Sequence, residues 1–459
     1  MTGQKSGQTM RQSCAVMPLD PGNQNRPSVR RWVKFGIVTF PTPAKKQAGR
    51  GSLGWLVILL SFTTGISAVP CIGFDETVNV RYTRIQKVDS RFPRRYRTAF
   101  DRCIQLVAPN GKPIHLFAQP EISDAQLRRV RNVMLHFLTD FEGSKYGSRK
   151  ADIANRMADN RAMMMLCKGH DGQFREPRIP AQPLYADETI VEGSRAYIEN
   201  DFENHRDATF EEVLHAVHDQ GIGVDVRGAP RGAARDYQKT IREATTLAMT
   251  GGLWPTPRAQ RETREWIEEL REEGSLTQEY LASVIDSYYG LWGPFDENYG
   301  MWGIYIAKTR ADIRKKDPRG LEVVRNFFHP TLFYTAEIDP KFKGNFSMTF
   351  DPLKKYTHKS QYLTRARLTG TENSGLIGNA HANLLTGNQG NNLLNGKDGF
   401  DTVVYPRARS AYRIQKNQDG TQTVHGDGTD RLVSIERLVF DGQQLEDARY
   451  VDPVAHGLR

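Results

Sequence analysis

The sequence predicts an α+β chain, with a mainly helical central domain followed by a small all-β domain wound as a parallel β-helix. Three observations carry the prediction. Leu127, Val130, Met134, Phe137, Leu138 and Phe141 recur at helical spacing, the mark of an amphipathic helix. Gly370, Gly378, Gly387 and Gly396 recur at spacings of 8, 9 and 9 residues, a period that belongs to repeat architectures. Apolar residues make up 38% and aromatics 10% of the 459 residues, which excludes a wholly disordered chain and leaves ample material for a core.

The first element is a leader, residues 1–70. It holds nine basic residues and one acid, Asp20, and so carries most of the formal charge of +10. With the leader set aside the chain is nearly neutral, so nucleic acid is not an expected partner. Lys45, Lys46 and Arg50 precede the apolar run Leu53–Ala68. Basic residues, a short apolar stretch and small residues at its end make a secretory signal, with cleavage expected after Ala68. An uncleaved anchor or a buried helix remains open, although the run is short for a membrane span. The expected location is extracellular or periplasmic, with the membrane met only in transit, and the expected state is a monomer. Cys14 leaves with the leader. Cys71, Cys103 and Cys167 remain, enough for one bridge and a spare thiol.

The second domain spans 71–340. Residues 71–125 read as strands with an Asn110-Gly111 turn, and Ser123 with Gln126 forms a capping box before the first long helix. Met163, Met164 and Met165 read as core packing. Residues 168–192 are rich in Pro and Gly and read as loop. Helices are predicted near 209–220, 233–250, 257–272, 276–289 and 319–327, and 341–367 reads as a linker.

The third domain spans 368–459. Its units GTENSGLI, GNAHANLL, GNQGNNLL and GKDGFDTV each place an apolar residue at position eight: Ile377, Leu385, Leu394 and Val403. Each unit supplies a short strand and a turn, and stacking buries one apolar column. Over 368–404 the repeats resemble the hemolysin-type (RTX) calcium-binding family, whose pattern is Gly-Gly-x-Gly-x-Asp-x-apolar-x. The resemblance implies calcium at the turns, held by oxygen ligands. Only the last unit carries both Gly399 and Asp401; the third has Asn392. The implied calcium residues are Asp398, Gly399, Asp401 and Asn392, with weak binding because most carboxylates are missing.

Chemistry concentrates in TFEEVLHAVHDQGIG, which starts at Thr209. At 100° per residue, Glu211, His215 and His218 fall within about 60° of one face. This is the geometry of the zinc-peptidase helix His-Glu-x-x-His with Glu211 in place of the first histidine. Carboxylates ligate zinc, so Glu211 and His215, with His218 beside them, are candidate ligands. Glu212 is then the general base that activates a water. Downstream, Ser275 and Gln278 form a second capping box, and Glu279 heads a helix with Asp286 on the same face. Glu279 is the candidate third ligand.

Plainer roles fit the same residues. Glu212 lies three after Thr209, as a capping box requires. His215 and His218 suit a satisfied core, and Glu279 suits the positive end of its helix.

Over 205–290 the helix pair, with Glu-Tyr following Glu-Glu-x-x-His, resembles the gluzincins and the anthrax-lethal-factor-like toxin peptidases. The wider stretch 110–330, with Asp187-Glu188-Thr189, resembles a group of secreted proteins of unknown function. The first resemblance implies a secreted zinc-dependent hydrolase acting on protein or peptide. The alternative is a non-catalytic extracellular calcium-binding or adhesion protein on a degenerate peptidase fold.

Overall fold

The computed structural model describes residues 80–202, 205–226 and 228–441. The leader, its cleavage point, Cys14 and Cys71 lie outside the described residues.

The chain begins with short strands β1 (Arg81–Tyr82) and β2 (Gln86–Lys87), then helix α1 (Arg94–Ala99), β3 (Arg102–Val107) and β4 (Pro113–Ala118). The all-strand expectation for 71–125 therefore misses α1, a two-turn helix too short to show a period. Strands β3 and β4 pair as an antiparallel hairpin. Gly111 closes its turn with φ +79° and donates its N–H to the Ala108 carbonyl. Helix α2 (Asp124–Leu138) starts at the expected capping box: Ser123 and Gln126 satisfy one another's backbone donors. Helix α3 (Lys150–Asp159) and strand β5 (Met163–Cys167) follow. The three methionines lie on β5, with Met164 and Met165 buried in the core.

Strand β6 (Gln182–Tyr185) emerges from the stretch predicted as loop. Its central Pro-Leu pair hides the strand alternation. It pairs in parallel with β5 and ends a sheet ordered β1-β3-β4-β5-β6.

The helical layer comprises α4 (Arg195–Glu199), α5 (Thr209–Val217), α6 (Arg235–Thr250), α7 (Arg264–Glu273), α8 (Leu276–Tyr288), α9 (Arg310–Lys316) and α10 (Pro318–Arg325). Every residue of α5 is buried, and so is all of α8 from Thr277 onward. A helix buried on all sides must bury its polar residues too. Phe210, Val213, Leu214 and Val217 of α5 fill the core beside Phe137 and Tyr289. Among the described residues no helix is long and apolar enough to cross a membrane.

The C-terminal strands form two largely parallel sheets. Strand β7 (Leu332–Ile338) precedes β8 (Gly344–Ser347), helix α11 (Thr357–Ser360) and β9 (Leu363–Leu368). The segment expected as linker thus contributes two strands. Next come β10 (Ser374–Ile377), β11 (Leu384–Thr386), β12 (Leu393–Asn395), β13 (Thr402–Tyr405), β14 (Arg413–Lys416), β15 (Gln422–His425), β16 (Thr429–Val433) and β17 (Arg437–Phe440). One sheet runs β14-β15-β16-β12-β10-β8 and the other β17-β13-β11-β9-β7. Successive repeat strands alternate between the sheets, so Leu376 pairs with Leu394 and Leu385 with Val403.

The apolar column therefore becomes two, one per sheet. Its first member is Leu376, fully buried, and not Ile377, which is half-buried. The first Gly spacing is 8, so counting forward from Gly370 overshoots, whereas counting back nine from Leu385 lands on Leu376. One hydrophobic cluster runs through both regions, from Val80 to Ile435.

Candidate metal centre

Helices α5 and α8 pack together in the core, and both carry buried polar side chains there. Glu211, His215 and Glu279 converge there: one ligand atom from each lies within 4.8 Å of the others, and all three residues are buried. His215 Nε2 stands 3.5 Å from Glu279 Oε1, and His215 Nδ1 stands 3.6 Å from Glu212 Oε2. Gln182 of β6 donates its Nε2–H to Glu212 Oε2 at 2.7 Å.

The plainer role for Glu212 does not form. The N-cap of α5 is Ala208, and no side chain caps the helix. Glu212 turns instead to His215 and Gln182. At the head of α8, Ser275 makes no side-chain cap either, and Gln278 donates to Asp219 Oδ1 at 2.8 Å. The donors of the two boxes go elsewhere: the Thr209 N–H to Asp207 Oδ1, and the Ser275 N–H to the Leu270 carbonyl.

His218 does not join the cluster. The α-helix gives way at His218 to a π-helical turn, His218–Ile222. The His218 ring donates Nε2–H to Gln238 Oε1 of α6 at 2.6 Å. Gly223 ends that turn at φ +103°, where a side chain would collide with Gly232.

Burial dominates the electrostatics. It opposes a charge on His215, but Glu279, then Glu212 and Glu211, outweigh it and push the imidazole up to about 10. Burial pushes Glu279 up to about 8 and raises Glu212, partly offset in each by His215. His218, with no acid so close, is pushed down to about 4 by burial.

Sequence reasoning missed three neighbours. Arg206, on the loop before α5, reaches Glu211 and also Asp286 Oδ2 at 3.2 Å. Burial pushes Asp286 up to about 7, against the pull of Arg206. Glu188 follows β6 and is pushed up to about 8 by burial and then by Glu212. Gln182 lacks any local signal. Glu188 had one, the Asp187-Glu188-Thr189 run.

The donor set is one imidazole and two carboxylates, a chemistry zinc accepts. His215 Nε2 is a buried nitrogen that makes no hydrogen bond, so it has a lone pair or proton to commit. The residues therefore fit a divalent ion.

The implied calcium residues fall in two places, Asn392 just before β12 and Asp398, Gly399 and Asp401 on the turn before β13. Asn392 is buried; its Oδ1 accepts the Asn388 N–H at 2.8 Å, and its own N–H goes to Asp430 Oδ1 at 3.0 Å. Asp401 precedes β13 on the opposite sheet, where its Oδ1 accepts the Asn383 N–H at 2.7 Å. Its N–H donates to Glu436 Oε2 at 2.7 Å. Gly399 crosses close to the preceding coil at φ +128°, and a side chain there would strike the His381 carbonyl. Asp398 is exposed on the same turn. Amide ladders thus close the turns. Set against protein-family models, curated proteins and solved structures, the chain matches none of them.

Proposed function

We propose that this chain is a secreted metal-dependent hydrolase of the peptidase type, with its C-terminal strands wound as a parallel β-helix. The single observation that carries this reading is the buried convergence of Glu211, His215 and Glu279 with Glu212 alongside. Buried charged side chains at this density are costly without a compensating cation. Glu211, His215 and Glu279 would hold the ion, zinc by the chemistry of the set. A bound ion of this kind lowers the pKa of a water and polarises a carbonyl. Glu212, held by the Gln182 amide, would accept the proton of an attacking water and pass it to the leaving amine. Strand β6 ends its sheet, and its Gln182 borders a cleft beside His215 and Glu279. The turn around Asp398, Gly399 and Asp401 would bind calcium weakly, since a single buried carboxylate offsets little of the ion's dehydration.

A second reading has its own observation. Arg206 already provides a cation to Glu211, which favours a non-catalytic extracellular protein on a degenerate peptidase fold.

Metal analysis of the purified full chain separates the two. The hydrolase reading expects about one equivalent of transition metal, lost in His215→Ala and in Glu279→Gln. A folded wild-type protein that takes up no zinc on dialysis against it rejects that reading.

A further inference from the structure

A cleft of about 150 Å³ opens beside the metal residues. His215 and Glu279 line it, together with Gln182 of β6. Val226 and Leu270 supply apolar lining. Asp219 enters from the π-helical turn and Glu273 from the last residue of α7. Arg161, exposed, is the one arginine or lysine lining the cleft among the described residues.

Setting aside Glu279, the lining keeps two acids. Asp219 Oδ1 accepts from Gln278, which holds the carboxylate in place without neutralising it. Glu273 has Glu269 and Glu272 as neighbours on its own helix, so its surroundings add more negative charge. The His215 ring is 4% exposed, faces the same cleft, and has a nitrogen without a hydrogen bond. The cavity therefore brings the candidate metal residues, two further acids and apolar lining together, with Asp219 near enough to His215 to feel its charge.

We propose that this cleft receives a basic side chain, arginine or lysine, of an extended peptide. The methylene stem lies against Val226 and Leu270, and the cationic head reaches Asp219 and Glu273. Long basic side chains bury their stems on apolar surface while keeping the head with charge or water. A guanidinium engages carboxylates in paired hydrogen bonds, which makes arginine the stronger occupant. That the bound peptide is a substrate rests on the hydrolase reading; the binding preference does not.

The test is titration calorimetry on the full chain carrying Glu212→Gln, so that no turnover intervenes. The probes are the amidated pentapeptide Ala-Ala-Arg-Ala-Ala and its citrulline counterpart, which has the same shape and no charge. Arginine should bind about tenfold tighter, a difference of about one logarithmic unit in Kd. Asp219→Asn and Glu273→Gln should each erase much of that preference; Glu273 lies at the mouth, so its variant leaves the core intact. Equal affinity for the two peptides, or a preference untouched by both variants, overturns the proposal. Agmatine, a guanidinium without a peptide backbone, should bind more weakly than the peptide; equal binding would overturn the peptide assignment. Metal content measured on the same samples keeps the two ideas apart. Metal-loaded protein without the preference sinks the cleft alone, and metal-free protein with it sinks the hydrolase alone.

Discussion

Arg206 donates to Asp286 Oδ2 at 3.2 Å, and through the same nitrogen it reaches Glu211. One guanidinium thereby ties a candidate ligand on α5 to the far end of α8. Its planar face also lies 5.2 Å from the Trp302 ring centroid and 5.7 Å from that of Trp292. The cation is held between acids and aromatics, away from water.

Arg206→Met should therefore be strongly destabilising. It leaves Glu211 and Asp286 buried with their cation gone, and breaking a buried pair in this way costs about 3–5 kcal/mol. Urea unfolding measures the loss. Adding Asp286→Asn should recover part of it, because one of the stranded charges is then removed; no recovery would mean that the two residues act independently.

Glu212→Gln should abolish peptide hydrolysis and leave metal content unchanged. Glutamine has no carboxylate to accept a water's proton, while its carbonyl can still accept the Gln182 amide. Stability should barely move. Hydrolysis assays beside metal analysis decide it, and full activity in the variant removes Glu212 from the reaction.

Lys150 is fully buried, its ammonium makes no hydrogen bond, and it sits 4.5 Å from the Phe327 ring centroid. Burial pushes it down to about 7 against a partial pull from Asp140. The unfolded chain binds this proton up to about pH 10.4. Between those values the unfolded state carries more protons than the folded one, so stability rises with pH from about 7 to about 10. Lys150→Met should flatten that rise and stabilise the protein at and below pH 7. Thermal melts across pH 6–10 check the difference between the two proteins.

In the repeats, Leu376→Ala should cost about 2–5 kcal/mol, as for other fully buried leucines. Ile377→Ala should cost clearly less, since Ile377 keeps part of its surface in water. Reversal of that order would mean that the strand register is off by one residue. Calcium at micromolar concentration should leave the melting curve unchanged, with any shift confined to the millimolar range of extracellular modules. The turns already close through Asn383 and Asn392 amides, which need no ion.

Local sequence determined the parts of this protein that depend on neighbours along the chain. The α2 helix and its Ser123–Gln126 box follow from spacing alone, because cap and helix face lie within one turn. The nine-residue period marks Leu385, Leu394 and Val403 as buried, and all three are. Glu211 and His215 share a face because they are four residues apart on one helix. Tertiary structure decided the rest. It brought Glu279 to His215, turned His218 toward Gln238, and took Glu212 and Gln278 away from capping. It also divided one apparent apolar column between two sheets. The physical reason is burial. Once α5 and α8 are enclosed on every side, each polar side chain must find its partner across the core, and that partner can come from anywhere in the sequence.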